Sequence, residues 1–230
     1  MKRRFALYYA PPPGSALEQF GAAWLGSDSR TGQAVERLMP DGIDGERVVA
    51  MTAEPARYGL HGTLKAPFRL APGREPEELE RSVAAFCRLH RPIDLPPFRL
   101  ARIDGFLALV PRHDSVELNA FAAACVTELD VFRAPLDDGE RTRRRQAGLS
   151  ARQEALLDRW GYPFVLDAFR FHVTLTGRLE EREAEPVVAA LEPILRPVLA
   201  LPHAIDSLVI FEQNGDEPFR QRLRVPLASA

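Results

Sequence analysis

Two short stretches of this chain, Leu60-His61-Gly62-Thr63-Leu64 and Phe171-His172-Val173-Thr174-Leu175, both read apolar-His-x-Thr-Leu. Successive side chains of an extended segment point to opposite faces, so the His and Thr of each copy share a face. Strand 60–66 then carries His61, Thr63 and Lys65 opposite Leu60, Gly62, Leu64 and Ala66. Strand 170–176 carries Arg170, His172, Thr174 and Thr176 opposite Phe171, Val173 and Leu175. Half-apolar strands pack one face on a core and leave the other toward something wet. Any fold for this chain must therefore hold two such strands, separated by about half its length.

A lone strand histidine is often a satisfied core residue. Two copies, each with a threonine and a cation on the same face, match the needs of acid–base chemistry on a phosphodiester: two imidazoles, two hydroxyls and positive charge. The other histidines, His90, His113 and His203, have no Thr two positions on and read as bystanders. No His-x-His or His-x-x-x-His occurs, and no Asp adjoins either motif histidine, so a metal centre is not expected. No cofactor is implied.

The 230 residues suffice for one large domain or two small lobes. A net charge of −2 argues against a dedicated duplex binder, although Arg141, Arg143, Arg144 and Arg145 could form a local basic flap. Such a run is more commonly a solvated loop. A module that only binds RNA ends would want stacking rings and a basic groove, which 8% aromatic residues and this charge do not favour. Cys87 and Cys125 fall in apolar helical patterns and read as buried thiols. The basic start Lys2-Arg3-Arg4 leads into an apolar run that stops at Pro11-Pro12-Pro13, too short for a signal segment, and no run reaches spanning length. A cytoplasmic protein without membrane partners is the expectation; oligomeric state is open.

Periodicity predicts a strand at 3–10, a helix from Ser15 to about Leu25, and an irregular region over 26–57. The first motif strand, 58–70, is followed by a helix opened by Pro76 and a strand pair around Asp104-Gly105. A helix from Ser115 to Leu129, a polar connection at 131–149 and a helix from Ser150 to Trp160 precede the second motif strand at 169–179. A helix over 184–199, interrupted by Pro193 and Pro197, and strands at 205–212 and 219–227 complete the chain. Each half thus holds a motif strand, a helix and a strand pair. This predicts an α+β fold of two pseudo-symmetric lobes of antiparallel sheet flanked by helices, approximately 1–112 and 113–230, with strands free to exchange between lobes, and a cleft where the motifs meet.

Paired His-x-Thr strands in a bilobal α+β chain resemble the two-histidine (2H) phosphoesterase superfamily, which includes RNA ligase-like cyclic phosphodiesterases. The segments Tyr58–Phe68, Phe132-Arg133-Ala134-Pro135, Arg159-Trp160-Gly161-Tyr162-Pro163 and Phe169–Gly177 are similar to a narrower subfamily associated with phosphonate metabolism and encoded beside carbon–phosphorus lyase genes. The resemblance covers nearly the whole chain. It implies metal-independent hydrolysis of a cyclic phosphodiester, with ribose 1,2-cyclic phosphate 5-phosphate as the small phosphorylated substrate. Processing of RNA 2′,3′-cyclic ends is the alternative, with nucleic acid as the partner.

His61 and His172 are the expected acid–base pair, in unassigned order, because imidazole titrates near neutrality. Thr63 and Thr174 are the expected donors to phosphoryl oxygens, and Lys65 and Arg170 the expected phosphate-binding cations. Tyr58 reaches the cleft only if the chain turns at Gly59. Arg133 and Tyr162 lie in the family-like segments and are candidates to bind substrate or shape the rim.

Overall fold

The computed structural model describes residues 3–146 and 148–228. Among these residues nine strands occur in the order β1 (Arg3–Tyr9), β2 (Gly62–Phe68), β3 (Ile93–Leu95), β4 (Phe98–Ile103), β5 (Phe106–Pro111), β6 (Val173–Arg178), β7 (His203–Ile205), β8 (Ser207–Asn214) and β9 (Arg220–Pro226). The helices are α1 (Ala16–Leu25), α2 (Gly45–Ala56), α3 (Pro76–Cys87), α4 (Val116–Glu128), α5 (Asp138–Arg145), α6 (Ala151–Trp160) and α7 (Glu181–Leu199). Seven strands form one antiparallel sheet in the order β4-β5-β6-β2-β1-β8-β9, and β3 pairs separately with β7. The architecture is α+β, as expected. The motif strands β2 and β6 are neighbours at its centre, joined at the pair Gly62↔Val173.

The two faces of the sheet are unequal. Phe5, Leu7 and Tyr9 of β1 enter the main core with Trp24, Val48, Leu79, Phe121 and Leu191 of the helices. Ala6, Tyr8 and Ala10 face the other way and join Val209, Phe211 and Phe219 in a small cluster. The first face is sealed; the Trp24 indole N–H even donates to the Leu175 carbonyl at 2.8 Å. The second stays open around the motifs.

Local signals explain most elements. Ser15, Ser115 and Ser150 accept the N–H of the third residue of α1, α4 and α6, and left-handed Gly26 and Gly161 end α1 and α6. Four expectations need correction. The 26–57 region contains α2, capped by the Asp44 carboxylate, with Val48, Met51, Thr52 and Pro55 on its buried side. That spacing is helical, but Gly45 and Pro55 obscure it. The 131–149 connection contains α5, whose signal is the Asp137/Glu140 capping box rather than any apolar stripe. Helix α7 runs unbroken through Pro186, Pro193 and Pro197, all on its exposed side. The motif strands begin at Gly62 and Val173, so each histidine sits just ahead of its ladder. Cys87 and Cys125 are buried free thiols, and burial pushes the Cys87 thiol up to about 11. Among the described residues no helix is long and apolar enough to cross a membrane.

Candidate active site

The open face holds a cleft of about 500 Å³ lined by His61, Thr63, His172, Thr174, Tyr58 and Tyr162, together with Arg4, Tyr8, Glu54, Phe106, Glu140, Arg143, Arg144, Thr176 and Arg178. Both motifs therefore meet in one space. A larger groove of about 710 Å³ runs between β4 and α7, but it contains neither motif.

Each imidazole is fixed by the same local device. His61 Nδ1 lies 2.8 Å from the carbonyl of Gly59, and His172 Nδ1 lies 2.8 Å from the carbonyl of Arg170. A carbonyl only accepts, so each Nδ1 carries the hydrogen. Each neutral ring is left with its Nε2 lone pair, and both rings line the cleft. Gly59 makes the first device possible: its φ of 70° is left-handed, and a Cβ there would lie 2.6 Å from Ser29 Cβ. The same turn brings Tyr58 to the cleft, where its ring stacks on Phe219. Gly62, between His61 and Thr63, is also forced. A Cβ would meet the Phe171 ring at 2.5 Å, which is why the first motif has Gly where the second has Val173.

The rings differ in setting. His61 stacks on Tyr8 at 3.9 Å between centroids, with Tyr58 at 5.8 Å and Phe211 at 6.4 Å. Burial pushes its pKa down to about 4, against the pull of the Gly59 carbonyl, and the charge of His172 adds to the lowering. His172 is also lowered by burial, but the Arg170 carbonyl and the Asp104 carboxylate oppose this. Phe106 lies 5.6 Å from its ring.

Three sequence candidates lie elsewhere. The β1–β2 register slips between Leu7↔Lys65 and Tyr8↔Thr63, so two steps along β2 oppose one along β1. This bulge reverses the parity of β2. Thr63 stays with Tyr8 on the cleft side, while Lys65 joins Leu7 on the core side. There the Lys65 ammonium donates to the Val126 carbonyl at 3.0 Å and to Asp130 at 3.1 Å. Arg133 grips the same carboxylate at 2.7 and 2.9 Å and donates to the Arg159 carbonyl at 3.0 Å. The void around Lys65 and Arg133 is about 10 Å³, room for one water at most. Arg170 precedes β6 rather than lying within it; its side chain is exposed and outside the cleft lining, and its carbonyl is what bears on His172.

In their place the cleft has Arg4, Tyr8, Arg143, Arg144 and Arg178. Alternation carried along β1 puts Arg4, Ala6 and Tyr8 on one face, and carried to the end of β6 it adds Arg178 to His172, Thr174 and Thr176. Both extensions were available from sequence. The Thr176 hydroxyl is already engaged, accepting the Leu107 N–H at 3.0 Å across a bulge in β5–β6 pairing.

Fold and site together describe a two-imidazole cleft between neighbouring strands of an antiparallel α+β sheet. The chain belongs to the family described as "Protein of unknown function (DUF1045)", whose model matches residues 63–220 and so includes Thr63 and the whole second motif. Two curated proteins named "Ribose 1,5-bisphosphate phosphokinase PhnN" are similar to it. That of Janthinobacterium sp. (strain Marseille) is 40% identical over 98% of this chain and 51% of its own length. That of Laribacter hongkongensis (strain HLHK9) is 38% identical over 77% of this chain and 41% of its own. The chain thus spans about half the length, or less, of these relatives. Among solved structures, a phosphoesterase matches over 99% of both chains at 13% identity and a TM-score of 0.40. E. coli LigT complexed with NADP+ matches over 99% of both chains at 12% identity and a TM-score of 0.42.

Proposed function

We propose that this chain is a two-histidine cyclic phosphodiesterase that opens a small sugar cyclic phosphate without a metal ion. The observation that carries the reading is the matched pair of imidazoles, each held through Nδ1 by the carbonyl two residues before it, facing one cleft. The more buried His61 is the base: its neutral Nε2 takes a proton from water as the oxygen attacks phosphorus. Protonated His172 is the acid and gives its Nε2 proton to the departing sugar oxygen. Thr63 and Thr174 donate to the non-bridging oxygens as charge builds there. At the end His61 carries the proton taken from water and His172 lacks the one given to the sugar oxygen, and exchange with solvent restores the starting pair.

Ribose 1,2-cyclic phosphate 5-phosphate is the favoured substrate. Breaking its phosphorus–O2 bond leaves the phosphate on O1, and the product is ribose 1,5-bisphosphate, the compound in the relatives' name. The matched segment in those relatives lies within a longer polypeptide. This chain contains no Gly-x-x-x-x-Gly-Lys-Ser/Thr run for a P-loop kinase, so opening the ring rather than phosphorylating the product is the step assigned to it. The test is a turnover panel followed by phosphorus NMR: this sugar, nucleoside 2′,3′-cyclic phosphates, and RNA with a cyclic end. The sugar is expected to give the highest kcat/KM. A clear preference for RNA ends would transfer the same chemistry to RNA processing, and turnover of none would end the phosphodiesterase reading.

Two further results are expected. The acid must be charged and the base neutral, so kcat/KM should rise as pH climbs through the His61 value of about 4 and fall as His172 deprotonates, below the ordinary histidine value of 6.5. An optimum on the acid side of neutrality follows; a profile rising steadily above pH 8 would contradict the assignment. Among the described residues no three His, Cys, Asp or Glu side chains converge as a metal site. Activity should therefore persist after exhaustive chelation, and loss with recovery on adding zinc or manganese would refute the metal-free step.

A further inference from the structure

We propose that the end of the cleft formed by Arg4, Arg144 and Tyr162 is a second anion subsite, which binds a phosphate monoester carried by the same substrate whose diester is cut at the histidines. This rests on the phosphodiesterase reading for its position relative to the cut bond, but the subsite itself stands on the charges described next.

Helix α5 sorts its arginines by face. Arg141 pairs with Asp158 of α6, and Arg145 with Glu154 at 2.9 Å. Arg144 points instead to the cleft, with its guanidinium 5.3 Å from the Tyr162 ring and a long 3.4 Å contact to the Pro67 carbonyl. Arg4 comes from β1; it donates to the neutral Gln213 amide oxygen at 2.8 Å and lies over Phe219. Among the described residues no carboxylate pairs with either one. Glu140 is nearby, but its carboxylate already accepts from Arg69 at 3.0 Å and from the Asp137 N–H at 3.0 Å. Burial pulls the Arg144 guanidinium below its ordinary value, Tyr162 and Glu140 oppose this, and the charge of Arg4 adds to the lowering. Two like charges are thus held together and partly desolvated, with aromatic faces that position them without neutralising them. An anion relieves that arrangement.

Register gives the distance. Tyr8 pairs with Thr63, and Arg4 lies four residues further along β1, ~13 Å at the strand rise. The Arg4 guanidinium lies over Phe219, whose ring is 6.3 Å from that of Tyr8, so the side chain reaches back and shortens this span. Strand β6 runs antiparallel to β2, so Arg178 lies at the opposite end, where Glu54 also lines the cleft. The dianion is assigned to the Arg4–Arg144 end because two guanidiniums act on one another there and Glu140 beside them is already held by Arg69, whereas Glu54 is free of such a bond among the described residues and lines the cleft with Arg178.

Two measurements test the subsite. The first is the ratio of kcat/KM for ribose 1,2-cyclic phosphate with and without a 5-phosphate. Arg144→Gln and Arg4→Gln should each lower that ratio about 10–100-fold, the loss of charge-assisted hydrogen bonds. Arg144→Lys should lie between. Arg152→Gln, a surface arginine paired with Asp167, should leave the ratio as it was. The second is binding of ribose 5-phosphate by titration calorimetry, with folding checked by thermal midpoint. Binding should survive in the His61→Ala/His172→Ala protein and be lost in Arg144→Gln. Ratios insensitive to both arginines, or calorimetric binding that follows the histidines instead, would overturn the subsite. If no cyclic phosphodiester is turned over, the catalytic reading fails alone, and calorimetry decides the subsite by itself.

Discussion

Replacing either His61 or His172 with alanine is expected to lower kcat by about 10²–10⁴, the usual span for removing a general acid or base. The double variant should lose less than the product of the single losses, because neither proton transfer is productive once the other partner is gone. Thr63→Val and Thr174→Val should each cost only about 0.5–1.5 kcal/mol of barrier, as for a neutral hydrogen bond. The singles should also differ in pH behaviour: without His61 the rising limb near pH 4 goes, and without His172 the falling limb goes. Rates come from single-turnover phosphorus NMR or a coupled assay over pH 4–9. A fully active His61→Ala or His172→Ala protein would remove the imidazoles from the mechanism.

Replacing Asp130 with alanine is expected to cost about 3–5 kcal/mol of stability, the range for removing one partner from a buried ion pair. Asp130 holds both Lys65, whose side chain is 4% exposed, and Arg133, at 13%. Its removal strands two cations at once. Lys65→Met should be far milder, within about 1–2 kcal/mol, because the new side chain is apolar and Asp130 keeps Arg133. Denaturant midpoints at constant m measure both. The contrast separates a structural lysine from a substrate-binding one. If Lys65→Met raised KM strongly while leaving the midpoint alone, Lys65 would belong to the cleft after all.

The two placements of Lys65 show where sequence reasoning stops. Alternation put His61 and Thr63 together correctly and put Lys65 with them wrongly, because one bulge between Thr63 and Lys65 reverses the parity. Nothing in Thr63-Leu64-Lys65-Ala66 announces a bulge; it arises from pairing with β1, which a strand's own sequence does not encode. Arg133 and Arg170 lie outside the cleft lining for a different reason, since membership of a motif-like segment says nothing about where a side chain goes. For Arg170 it is the backbone carbonyl that meets His172. Helix α5 was hidden because it buries no residue, so only its capping box marks it. The repeat, the capped helices and the final strand pair were legible because each depends on local periodicity or turn chemistry.

The order of strands has a consequence for how the molecule is made. Strand β1 lies in the middle of the sheet, between β2 and β8, yet β8 begins about two hundred residues later in the chain. During synthesis β1 can find β2 early, but its other edge stays unpaired until Ser207–Asn214 has emerged. Strand β5 waits likewise for β6. While these residues are being made, the nascent segment therefore carries unpaired strand edges until β8 has emerged, and its folding depends on the non-local pairings that contact order measures. His61 packs near Phe211 of β8 and so lacks its finished surroundings until that strand has arrived, and a chain halted near its midpoint would hold half of the chemistry and part of the enclosure.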